Sequence, residues 1–78
     1  MIWSSFPDEE NKCYFYVLKT FIKDVQYICR IQKIVMFEDY CLEIYHFDKQ
    51  GNYKVAFTKT LKKTKALMKE AQEFIEKL

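Results

Sequence analysis

Cys13-Tyr14-Phe15-Tyr16-Val17-Leu18-Lys19-Thr20-Phe21-Ile22 is the stretch on which the architecture hinges. Read with a helical period, Phe15, Leu18 and Phe21/Ile22 make one apolar stripe. Read as extended chain, Cys13 to Leu18 is a run of aromatic and β-branched residues that favours a strand. The residues just before it point to a helix. Pro7 followed by Asp8, Glu9 and Glu10 has the form of a helix start, with proline at the first position and acids in the first turn. A helix over about 7–20 is therefore expected, with a strand as the alternative.

Downstream the pattern is clearer. Val25, Tyr27, Cys29 and Ile31 alternate with Gln26, Arg30 and Gln32, which predicts a half-buried strand over 24–36. Phe37-Glu38-Asp39 makes a short turn into a second strand, Tyr40 to Phe47. That strand sets Tyr40, Leu42, Ile44 and His46 on one face and Cys41, Glu43, Tyr45 and Phe47 on the other. Asp48 to Asn52 reads as a hairpin loop with Gly51 as its left-handed residue, and Tyr53 to Phe57 as a third strand. A final helix is expected from about Leu61 to Leu78, capped by Thr58 or Thr60. Its apolar stripe is Leu61, Leu67, Met68, Ala71, Phe74, Ile75 and Leu78. The expected fold class is α+β: a single small domain over residues 1–78, an antiparallel three-stranded meander packed against a C-terminal amphipathic helix and preceded by an N-terminal helix (αβββα). If the first stretch is a strand, the meander has four strands. The sheet face away from the last helix would carry Tyr and Phe side chains, to be covered by the N-terminal segment or by a partner.

Composition narrows the function. The chain has 78 residues, half of them apolar and 31% charged, with seven Phe, six Tyr and one Trp. Such a chain is neither disordered nor built to span a bilayer, since no apolar run approaches the ~20 residues of a membrane span. No membrane partner is expected, and the N-terminus lacks the pattern of a signal peptide, so a cytoplasmic location is the default. Cys13, Cys29 and Cys41 are odd in number and contain no Cys-x-x-Cys pair, and one histidine cannot complete a zinc site. They read as reduced, largely buried thiols, with neither metal nor cofactor implied. Catalytic machinery is thin. Cys41 and His46 alternate to opposite sheet faces, and one glycine cannot build a phosphate loop. No enzyme is expected.

Charge is unevenly spread. Residues 1–57 carry seven bases and eight acids, residues 58–69 carry five lysines and no acid, and residues 70–78 carry one base and three acids. Lys59, Lys62, Lys63, Lys65 and Lys69 thus open the last helix while Glu70, Glu73 and Glu76 close it, against the macrodipole by roughly 0.3–1 kcal/mol per charge. Lysines can simply solubilise an exposed helix face, but that role does not require this order. Helix N-terminal amides with several ammonium groups suit phosphates. On that helix Lys62 and Lys65 are i,i+3 neighbours and Lys62 nearly aligns with Lys69, so these three are the set expected to act together. Lys63 faces elsewhere, Lys59/Lys63 and Lys65/Lys69 are like-charged i,i+4 pairs, and Lys59 and Lys54 extend the patch.

Residues 40–71 resemble the second half of a double-stranded-RNA-binding domain: a hairpin at Asp48–Asn52, a strand to Phe57, then Lys62-Lys63 opening a helix. That family has αβββα order and binds phosphates with lysines at the start of its last helix. Here Lys62-Lys63-Thr64 is followed by Lys65 and Ala66, so the family's Lys-Lys-x-Ala-Lys pattern is not matched. Its glycines before the helix and its loop histidine are also missing. The same half is distantly similar to ββββα single-strand-binding transcription coactivators. Two functions compete: a binding module that contacts nucleic acid or nucleoprotein through the lysines, and a protein-interaction module or inhibitor, of the kind viruses and phages use as accessory or anti-defence proteins, that occludes a partner. The lysines could equally meet an acidic protein surface, and a homodimer through the aromatic sheet face fits either function.

Overall fold

Five antiparallel strands and one helix make up the chain in the computed structural model, which describes residues 2–10, 12–34 and 36–78. In chain order these are β1 (Ser4–Asp8), β2 (Cys13–Ile22), β3 (Val25–Lys33), β4 (Tyr40–Phe47), β5 (Tyr53–Leu61) and α1 (Thr64–Glu76). The strands form one sheet in the order β1-β2-β3-β4-β5, a meander in which each strand pairs with the next in sequence. The fold is a small α+β domain, this sheet packed against one C-terminal helix.

The N-terminal helix expected over 7–20 is not formed among the described residues; Asn11, within that range, lies outside them. The strand alternative also fell one strand short. Pro7 belongs to β1 and pairs with Tyr14. It is tolerated there because β1 is an edge strand, where a missing ladder donor costs little. Asp8 closes β1 opposite Cys13, and Glu9 and Glu10 form the turn. The acids that resembled a helix's first turn are hairpin residues. β2 and β3 are then joined by Lys23 and Asp24, both at positive φ (51° and 68°), between the paired Ile22 and Val25. This is the two-residue turn whose twist matches flanking strands.

β4 falls where its alternation placed it, and β3 stops at Lys33, short of the expected 36; Val35 lies outside the described residues. Asp48 shapes the β4–β5 hairpin by accepting hydrogen bonds from the Gln50 and Asn52 N–H groups (2.9 and 2.8 Å) and from the Asn52 side chain (3.1 Å). Those bonds, the Asn52 N–H foremost, hold its carboxyl below the usual range. Gly51 supplies the left-handed step at φ 83°. β5 runs four residues past the expected Phe57, so Thr58, Lys59, Thr60 and Leu61 are strand and the helix begins only at Thr64.

Leu67, Ala71 and Ile75 recur at i,i+4 on α1 and lie buried over β3, β4 and β5. With Leu18, Cys29, Ile31, Leu42 and Ile44 they form the core. Trp3, Tyr16, Tyr27, Tyr40, Leu61, Met68 and the stacked Phe57–Phe74 pair (5.1 Å between ring centres) pack around it. Leu78, assigned to the stripe, is 39% exposed. All three cysteines are free thiols, with Cys29 fully buried and its pKa pushed up by that burial to about 11.

Candidate functional site

The lysines are divided by the fold. Lys59 is on β5, paired with Leu42, and its Nζ lies 3.0 Å from Glu70 Oε1 on α1. That ion pair ties the last strand to the helix. Lys54 lies opposite His46, six residues along β4 from Tyr40, which is about 20 Å at ~3.4 Å per residue. It does not extend the patch. Lys69 is exposed on the helix and remains an i,i+4 neighbour of Lys65. Lys62 precedes the helix, so the expected alignment of Lys62 with Lys69 does not arise, and Lys59 and Lys63 are not a helical pair.

Lys62, Lys63 and Lys65 do come together. With Tyr16, Tyr40 and Thr64 they line a shallow concavity of about 350 Å³ at the start of α1. Lys63 is the N-cap, at φ −115° and ψ 128°, and no side chain caps the helix. The first turn contains no acid, so the N–H groups that every helix leaves unpaired at its start face a lysine-rich rim. Neither expected threonine cap is in position, because Thr58 and Thr60 are spent in β5. None of the three lysines forms an ion pair among the described residues. Burial, then the neighbouring Cys13 and Tyr16 and a hydrogen bond to Cys13, raise the Tyr40 phenol above its ordinary value; like any tyrosine it is protonated at neutral pH. Tyr16 and Tyr40 were not legible as site residues, since only the register brings them beside the helix start. Tyr40 also pairs with Lys33 at the mouth of the β3–β4 loop, whose Met36 and Phe37 are exposed.

Among the described residues nothing covers the opposite face of the sheet. The N-terminal segment does not cover it, having joined the sheet as β1. Phe6 and Phe15 stack there at 5.3 Å, and Tyr45, Phe47 and Tyr53 form a cluster with ring centres 4.9 to 6.1 Å apart. Arg30 reaches Glu43 at 3.9 Å and lies 5.8 Å over the Tyr45 ring. The Tyr53 hydroxyl also donates to Glu43.

His46 is on the helix side of the sheet, its ring 5.2 Å from Tyr27 and its Nδ1 buried with no partner among the described residues. Among the described residues no group of three or more metal-ligating side chains forms, and no helix is long and apolar enough to cross a membrane. No family model, curated protein or solved structure matches this chain.

Proposed function

We propose that this protein is a non-enzymatic binding module that holds the phosphate backbone of a nucleic acid at the Lys62/Lys63/Lys65 concavity. The observation that carries this reading is a helix start with a lysine at the N-cap, another in the first turn, no acid and no side-chain cap. Such an end is less stable than a capped one, and an anion bound there would relieve both defects. Protonated Tyr40 adds a hydrogen-bond donor beside the lysines.

Fluorescence anisotropy with labelled single-stranded and duplex oligonucleotides, titrated at several salt concentrations, tests it. Each phosphate contact contributes about −0.7 (single strand) to −0.9 (duplex) to the slope of log K against log salt. Replacing Lys62, Lys63 and Lys65 together by Gln should flatten that slope by about 2–3 and weaken binding uniformly across sequences. An unchanged slope would sink the reading.

A second reading, a module that occludes a partner protein, is favoured by the open aromatic face. Affinity capture with and without nuclease separates the two. A nuclease-resistant complex with one protein supports the second, and nuclease-sensitive capture the first.

A further inference from the structure

We infer that the open face of the sheet is the interface of a two-fold symmetric homodimer. The inference goes beyond the lysine concavity, which lies at the helix start on the other side of the sheet, and does not depend on it.

The register lays most of the apolar residues of this face along one diagonal, with the exposed Phe21 and Val55 to either side of it. Phe6 and Phe15 pair at one corner, Val17 follows beside Arg30, then Ile28 beside Tyr45, and Phe47 beside Tyr53 closes the opposite corner. Phe6, Phe47 and Tyr53 are 44, 54 and 48% exposed, so much of this stripe is open. Lys19 flanks it on β2, next to Ile28, and Glu43 flanks it on β4, next to Arg30. They lie on opposite sides of β3, two strands apart and offset by two residues along the sheet. The separation is about 10 Å across the strands and about 7 Å along them. The line that bisects Lys19 and Glu43 runs along the apolar diagonal.

A two-fold axis lying in the contact plane along that line exchanges the two flanks. It carries Lys19 of one copy over Glu43 of the other, and repeats the contact the other way round. The same operation sets Phe6 against Phe15 of the second copy and Phe47 against its Tyr53. The pattern is therefore self-complementary in both charge and apolar surface, as an isologous interface requires. Both intramolecular contacts of Glu43 use Oε1, which leaves Oε2 without a partner among the described residues.

Size agrees. Five strands at ~4.8 Å spacing and about eight residues at ~3.4 Å make a face of roughly 24 by 27 Å. That is the order of the ~800 Å² per partner that a standard interface buries. The face is also a poor match for a nucleic acid. Arg30 is already engaged by Glu43 and Tyr45, so among the described residues Lys19 is the one uncompensated charge on the stripe or its flanks. The rings pack against one another instead of standing apart for bases.

Sedimentation velocity and light scattering on the whole chain test the dimer, with circular dichroism confirming that each variant folds. The wild type should be a dimer by about 100 µM, the weak end for an interface of this size. Lys19→Glu and Glu43→Lys each place like charges together twice and should weaken the homodimer by roughly tenfold or more. Mixing the two variants sets the substituted position of one copy against the substituted position of the other, acid on base. The second contact of that pair is the original one, Lys19 with Glu43, so the mixture should form a heterodimer as tight as the wild type. Phe47→Lys, at an exposed position, should give a monomer independently of the charge swap. A wild-type monomer at every concentration overturns the inference, and so does a dimer indifferent to all these substitutions. Association that appears only when an oligonucleotide is added, and is lost with Phe47→Lys, would assign the face to nucleic acid and overturn it too.

Discussion

Replacing Lys63 by Asp should make the protein more stable. Lys63 already has the extended backbone of an N-cap residue, φ −115° and ψ 128°, so an aspartate carboxylate can accept from the N–H of the first turn without moving the chain. A side-chain cap is worth about 0.5–2 kcal/mol, typically ~1. Exchanging a positive charge for a negative one at the same end of the macrodipole adds about 0.3–1 kcal/mol, at the low end for an exposed group. The sum, about 1–2 kcal/mol, should raise the melting temperature by roughly 4–8 °C for each kcal/mol in a domain of this size. Two further variants divide the effect. Lys63→Ser supplies the cap without the acid, and Lys63→Gln removes the charge without the cap. Only the charge component should shrink as salt is added. Lys49→Asp, with the same charge change in an exposed hairpin, should stay within about 0.5 kcal/mol of wild type. Differential scanning calorimetry at low and high salt gives all four values. A Lys63→Asp melting temperature at or below wild type would refute the account of this helix start.

Leu42→Ala should be costly, because Leu42 is fully buried in β4 between β3 and β5. The expected loss of about 2–5 kcal/mol is a large part of the roughly 4–12 kcal/mol available to a chain of this length, and urea unfolding will show it as a lower midpoint. Stability should also fall in alkali through Cys29. Its pKa is near 11 in the folded state against 9.0 when unperturbed, so between those values the unfolded chain loses the proton first and is favoured as pH rises. Unfolding free energies at several pH values should therefore fall less steeply between pH 9 and 11 for Cys29→Ala than for wild type, by up to about 1.4 kcal/mol per pH unit.

The sequence is most readable where one physical signal acts alone. β4 buries Leu42 and Ile44 on one face and carries Glu43 on the other, and its limits were legible to the residue. β1 and β2 were obscured because two signals conflicted. Pro7 and three acids announce a helix locally, while the strand propensity of Cys13 to Leu18 is realised only when β1 and β3 pair with it on its two sides. The β2–β3 turn was hidden for another reason, since Lys23-Asp24 adopts two left-handed residues without the glycine or asparagine that normally marks them. At the far end, Phe57, Lys59 and Leu61 alternate with a period of two on the helix side, after a register shift that sets them on the other face from Tyr53 and Val55, but a charged residue between two apolar ones also fits the first turn of a helix. The misplaced boundary changed the site. It moved Lys59 into a strand facing Glu70 and left Lys63, in place of a threonine, as the cap. A run of five lysines was visible from composition; that three of them share a concavity with two tyrosines depends on the successive pairings of β2, β3, β4 and β5 that bring Tyr16 and Tyr40 beside the helix start.

The dimer and the lysine concavity have a joint consequence that neither has separately. An interface on the open face leaves both helices on the outside, each with its own cluster of Lys62, Lys63 and Lys65. A nucleic acid long enough to reach both clusters would meet the second at an effective concentration of order millimolar, and avidity would rise without any new contact. About three phosphates per copy become about six per dimer, so the salt slope on a long duplex should roughly double on dimerisation. Lys19→Glu separates the copies without touching the concavity, and should halve the slope on long DNA while leaving it unchanged on an oligonucleotide that spans one cluster. Adding Glu43→Lys to that sample restores the heterodimer and, with it, the net charge of the wild-type pair. Recovery of the steep slope on long DNA would then report geometry and not charge. A slope that stays shallow in the restored heterodimer would mean that the two clusters cannot engage one nucleic acid together, even where each binds phosphate by itself.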